Sequence, residues 1–127
     1  MTSAVLDSSA LMAALEDESG AEQVVGVLNG AAISAVNLSE VVAKFQDAGR
    51  EEDVIREALT RVPLVVAPFD EDHAYRAGLL RRATRGSGLS LGDRACLSLA
   101  RALNLPAYTA DRAWADLEVD VRIVVIR

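Results

Sequence analysis

Four acidic residues stand where an apolar run gives way to a helix-start signal: Asp7 in AVLDSS, Glu40 in SAVNLSEV, Asp93 in LSLGDRA and Asp111 in YTADRA. If the apolar runs stack as neighbouring parallel strands, all of these carboxylates arrive at the same edge of the sheet. Crowded carboxylates repel one another, and burial raises their pKa values by disfavouring the charged form. A divalent cation relieves both penalties, so the constellation reads as a metal site. Its donors are hard oxygens, which suit Mg2+ or Mn2+. The lone Cys96 and the lone His73, in the polar stretch DEDHAYR, give no zinc-site spacing.

Each acid also has a plainer explanation. Asp7 can cap the helix that starts near Ser8. Asn37-Leu38-Ser39-Glu40 and Ser90-Leu91-Gly92-Asp93 both fit a capping-box pattern, with the acid returning to the backbone at its start. Asp111 can pair with a neighbouring arginine or make a turn. At ~100° per residue, Asp93 falls on the flank of the face carrying Cys96, Leu97 and Ala100, away from Arg94, Ser98 and Arg101. A buried acid there needs a partner. Glu40 falls with Lys44 and Asp47, so an exposed Glu40–Lys44 pair is an alternative for it.

Supporting residues cluster nearby. Ser8, Asn37 and Thr109 can orient carboxylates or bound water, or serve simply as turn and cap residues. Asp116, after Trp114, is a surface acid or an outer ligand. Arg81, Arg82 and Arg85 form the dense basic cluster, suited to phosphate contact or to a helix C-terminus.

The elements that must carry these residues follow from apolar patterning. Ala4-Val5-Leu6, Ala32-Ile33-Ser34, Leu64 to Ala67, Ala107-Tyr108-Thr109 and Val121 to Ile126 read as strands. Helices are expected from Ser8, over Ala21 to Leu28, from about Asn37 to Gly49, over Glu51 to Thr60, over Asp70 to Arg82 and over Ser90 to Leu103; RRATRGSG reads as a loop. Strands alternate with helices and are continuously apolar, which predicts an α/β fold with a parallel sheet covered on both faces. In such sheets ligands bind beyond the carboxyl ends of the strands.

The chain has 127 residues, 51% of them hydrophobic, enough for one domain with one core. No apolar run reaches membrane-spanning length. The start MTSAVLDSSA lacks a basic n-region and Asp7 interrupts its apolar stretch, so a cytoplasmic protein is expected. The formal net charge of −6 provides no broad positive field for nucleic acid. Any such substrate must be held by metal ions and a local basic patch.

The ordered set AVLDSSAL, NLSEV, LSLGDRACLSLA and YTADRAW resembles the PIN-domain ribonucleases, most closely the VapC-type toxins of bacterial toxin–antitoxin pairs. The resemblance spans essentially the whole chain, and LSLGDRACLSLARALNLPAYTADRAW is its most specific part. Asp7, Glu40, Asp93 and Asp111 occupy the acidic positions of the family pattern, and Thr109 stands for the threonine of its Thr-x-Asp. The resemblance implies a PIN-like three-layer α/β/α sandwich with a five-stranded parallel sheet, residues 1–127 forming a single PIN domain. It implies a Mg2+- or Mn2+-dependent endoribonuclease, a homodimer, and neutralisation by a small cognate antitoxin. A PIN nuclease that processes RNA without being a toxin, and a non-catalytic PIN-like protein-binding module, remain as alternatives. A phosphoacceptor receiver domain would need adjacent acids after the first strand, and a haloacid dehalogenase-type phosphatase would need Asp-x-Asp; Asp7-Ser8-Ser9 provides neither.

Overall fold

The computed structural model describes residues 2–127. In chain order the elements are β1 (Val5–Leu6), α1 (Ser8–Leu15), α2 (Ala21–Val25), β2 (Ala32–Ser34), α3 (Ala35–Asp47), α4 (Glu52–Thr60), β3 (Val65–Ala67), α5 (Glu71–Leu79), α6 (Arg81–Thr84), α7 (Leu91–Leu103), β4 (Ala107–Thr109) and β5 (Ile123–Val125). Short 3-10 turns cover Arg85–Ser87 and Arg112–Asp116. The strands form one five-stranded sheet in the order β3-β2-β1-β4-β5, with every pairing parallel.

Successive strand residues point to opposite faces, and that parity builds two cores. Leu6 lies in register with Ile33 and Tyr108, and all three face α1, α3 and α4 through Leu11, Val41, Phe45 and Ile55. Val5 lies in register with Ala32 and Ala107, which face the other way onto Leu97, Leu99 and Ala100 of α7, with Leu80, Leu89 and Trp114. Helices therefore cover both faces in an α/β/α sandwich. Leu6, Leu11, Ile33 and Leu97 are fully enclosed, and each such side chain contributes roughly 1.5–3 kcal/mol on burial. The edge strand β3 departs from this pattern: Val65 and Val66 are 51% and 45% exposed.

Several boundaries differ from the sequence reading. The second helix stops at Val25 rather than Leu28. The third begins at Ala35, because Ser34 accepts the Val36 N–H at 3.2 Å and caps it. The stretch Asp70 to Arg82 breaks at Leu80, and RRATRGSG is not a loop: Arg81–Thr84 makes a further helical turn, followed by the 3-10 turn. Buried Thr84 donates to the Leu80 carbonyl at 2.8 Å and holds that turn. The last strand narrows to Ile123–Val125. Among the described residues no helix is long and apolar enough to cross a membrane.

Candidate functional site

Asp7 is the first residue past β1 and caps α1, accepting the Ala10 N–H on Oδ1 at 2.8 Å. It does more than cap. Ser9 Oγ donates to the same oxygen at 2.7 Å, and Thr109 Oγ1, from the end of β4, donates to Oδ2 at 2.6 Å. Asp7 is 5% exposed, and burial pushes its carboxyl above the ordinary aspartate value. The hydrogen bonds from Thr109, Ala10 and Ser9 act the other way, and the charge of Asp93 adds to the rise.

Asp93 lies in the first turn of α7 and completes a capping box with Ser90. Its N–H donates to Ser90 Oγ at 3.1 Å, and its Oδ2 accepts the Ser90 N–H at 3.0 Å. Asp93 therefore does what a plain cap does. Its effect on Asp7 across the sheet end is what a plain cap does not require.

Glu40 behaves differently from expectation. With α3 starting at Ala35, Glu40 sits in the second turn and Asn37 is not its cap. The contact is side chain to side chain, with Asn37 Nδ2 donating to Glu40 Oε1 at 2.9 Å. The same nitrogen donates to the Gly92 carbonyl at 3.0 Å, so Asn37 ties α3 to the start of α7. The alternative Glu40–Lys44 ion pair does not form. The buried Cys96 thiol below this region is pushed well above its ordinary pKa, first by burial and then by Asp7, Asp93 and Glu40 together. The bridge through Asn37 sets Glu40 beside the first turn of α7, which carries Asp93.

Asp111 is exposed and caps the 3-10 turn by accepting the Ala113 N–H at 3.0 Å. Its own N–H donates to Thr109 Oγ1 at 3.0 Å, so Thr109 links it to Asp7. Asp116 is exposed at the end of that turn.

Among the described residues no ion pair involves Asp7, Glu40, Asp93 or Asp111; the pairs lie elsewhere, as in Arg56–Glu52, Arg61–Glu57 and Arg76–Asp72. Arg94, next to Asp93, turns away to donate to the Ala77 carbonyl at 3.1 Å. Nor do any three His, Cys, Asp or Glu side chains among the described residues stand close enough to enclose an ion by themselves. The donor chemistry is thus oxygen-only, uncompensated by cations, and open. Such a set fits Mg2+, which takes one or two protein carboxylates and leaves its other positions to water and phosphate.

The remaining expected residues separate cleanly. Arg81, Arg82 and Arg85 are exposed on α6 and the following turn, which leads into α7. His73 is on α5, with Nδ1 2.8 Å from Asp70 Oδ1, and takes no part in the acidic region. The hydroxyl that meets Asp7 belongs to Ser9, not Ser8. Ser9 also accepts the Ala110 N–H at 2.9 Å. Its sequence signal is its place two residues beyond a capping aspartate, where a first-turn hydroxyl can turn back to the cap. A separate groove of ≈ 670 Å³ lies away from the acids, lined by Leu38, Val42, Ile55, Leu59, Val62 and Val66 among others.

A family model for the PIN domain matches residues 4–119. The chain belongs to the PIN domain family. Solved structures agree with this PIN domain fold over nearly its full length. One is a toxin–antitoxin complex from Klebsiella pneumoniae, at 23% identity, 98% coverage of each chain and a TM-score of 0.77. DNA-bound VapBC from Salmonella typhimurium shares 19% identity over 100% of each chain, with a TM-score of 0.72. Mycobacterium tuberculosis VapC20, described as a sarcin–ricin loop cleaving toxin, shares 18% identity over 94% of this chain and 99% of its own, at a TM-score of 0.70. No curated protein matches this PIN domain in sequence.

Proposed function

We propose that this PIN domain is an endoribonuclease dependent on Mg2+, for which Mn2+ can substitute, and the toxin of a toxin–antitoxin pair. The observation that carries the reading is the buried Asp7 carboxylate at the end of the sheet, tied through Thr109 to Asp111, with Glu40 bridged by Asn37 to the turn of Asp93, and with no ion pair to any of these acids among the described residues. A structure of like fold described as a toxin–antitoxin complex, and one described as a sarcin–ricin loop cleaving toxin, support the biological role.

In this reading Asp7 and Asp93 hold the metal, and Glu40 and Asp111 complete the acidic pocket. Bound Mg2+ would activate a water for in-line attack on a phosphodiester and offset charge on the phosphate. The protein's part is to hold the carboxylates in place. Thr109 and Ser9 fix both oxygens of Asp7, Asn37 fixes Glu40, and the Ser90 backbone fixes Asp93. Such outer partners typically change metal affinity or activity by ~10–100-fold when removed. No histidine is required, and His73 lies elsewhere. Arg81, Arg82 and Arg85 would contact RNA phosphates on a chain that is otherwise acidic.

The partners are an RNA substrate, a small cognate antitoxin and a second copy of the chain. The apolar groove beside the exposed edge strand β3 supports a protein partner. Exposed Tyr75 and Leu79 on α5, with Leu91 on α7, support a homodimer. The test is cleavage of a structured RNA by the purified protein. Cleavage is expected with Mg2+ or Mn2+, lost in excess EDTA and recovered on adding metal; undiminished cleavage in EDTA would refute the metal mechanism.

A further inference from the structure

Gly92 has the most crowded missing side chain of the acidic region. A Cβ built there would fall on the Glu40 carboxylate, 2.7 Å from both Cδ and Oε1. The backbone does not explain the glycine, because Gly92 is absent from the positive-φ glycines of the chain and lies within the regular first turn of α7. Glycine within a helix is less stable than alanine, so local stability argues against it here. What glycine gives is room for a side chain arriving from another helix.

Asn37 shows that the approach is built. Its Nδ2 joins Glu40 Oε1 to the Gly92 carbonyl, at 2.9 and 3.0 Å. Asn37 is 1% exposed, and its Oδ1 finds no donor among the described residues. An unsatisfied buried acceptor is costly. The amide accepts that penalty to hold one carboxylate against one carbonyl, on the turn that carries Asp93.

We infer that Gly92 is a positioning residue: its absent side chain lets Glu40 cross from α3 onto the first turn of α7 and join the acidic pocket. A methyl group there leaves every acid in the chain but displaces one of them. Because the end of the Glu40 side chain is flexible, the carboxylate yields and the helices stay. The inference rests on the nuclease reading for its functional consequence, whereas the steric coupling stands apart from it.

The experiment is a double-mutant cycle of Gly92→Ala and Glu40→Ala. In metal-free buffer Gly92→Ala should raise the melting temperature more in the Glu40→Ala background, where the space is vacant, than in the wild type. An equal change in both backgrounds would overturn the coupling. With Mg2+, Gly92→Ala should lower RNA cleavage by about 10–100-fold, the scale of a misplaced catalytic group. The double variant should cleave no worse than Glu40→Ala alone, because Gly92 acts through Glu40; multiplying losses would overturn its positioning role. If the wild type shows no metal-dependent cleavage, the nuclease reading fails, and the metal-free cycle still decides the coupling.

Discussion

Asp7 and Asp70 share a residue type and a local geometry, yet they have opposite electrostatics. Each caps a helix by accepting the N–H three residues on, Asp7 from Ala10 at 2.8 Å and Asp70 from His73 at 3.0 Å. Burial, with Asp93 adding to it, raises the carboxyl of Asp7. The backbone and side-chain hydrogen bonds of His73 lower that of exposed Asp70. Capping is therefore compatible with either role. The difference comes from outside the helix. Asp7 is enclosed by Thr109 of β4 and faces a like charge on α7, while Asp70 faces solvent and an imidazole on its own turn.

The largest expected effect is on cleavage. Asn caps about as well as Asp, so Asp7→Asn and Asp70→Asn should both preserve their helices. Initial rates of RNA cleavage should fall by more than ~100-fold for Asp7→Asn, beyond the usual loss for an outer partner, and stay near wild type for Asp70→Asn. Equal effects would erase the distinction.

A smaller effect concerns stability without metal. The raised carboxyl of Asp7 binds its proton more tightly in the folded state. Its stabilising contribution is present below the unfolded value of 3.8 and is lost as pH rises through the folded value. The lowered carboxyl of Asp70 does the reverse, stabilising above 3.8 and losing that contribution as pH falls through its folded value. Melting curves across acidic to neutral pH should show Asp7→Asn gaining on wild type as pH rises. Asp70→Asn should fall slightly behind over the same rise. The Thr109 hydroxyl can turn from donor to acceptor and accommodate the new amide. Parallel curves for the two variants would contradict the assignment.

The smallest effect sharpens the contrast between acidic and basic regions. Replacing Arg81, Arg82 and Arg85 with Gln should weaken RNA binding and flatten its salt dependence by about one unit of slope per lost phosphate contact. An unchanged slope, measured by titration at several salt concentrations, would make these residues only a solvated turn.

The sequence made much of this arrangement legible because the informative patterns are local. Continuously apolar strands between helices announced the parallel sheet, and the Ser90–Asp93 capping box formed as written. Asn37-Leu38-Ser39-Glu40 had the same form and misled, because Ser34 won the cap and moved the helix start back to Ala35. The turn over Arg81–Thr84 was hidden by the glycines after it, which stop a helix without forbidding one before them. Ser9 displaced Ser8 because helix phase, not proximity in sequence, decides which hydroxyl faces the carboxylate. The crowding of Gly92 by Glu40 has no local signature at all, since it exists only once α3 packs on α7.

The most direct test of the central claim, that these acids are metal ligands as well as caps, is the rise in melting temperature on adding Mg2+. A ligand at 100 times its Kd stabilises by about 2.7 kcal/mol, an easily resolved shift. Wild type and Asp70→Asn should show the full shift, Glu40→Gln a reduced one, and Asp7→Asn and Asp93→Asn almost none. A full Mg2+ shift in Asp7→Asn and Asp93→Asn would contradict the account and leave both residues as helix caps.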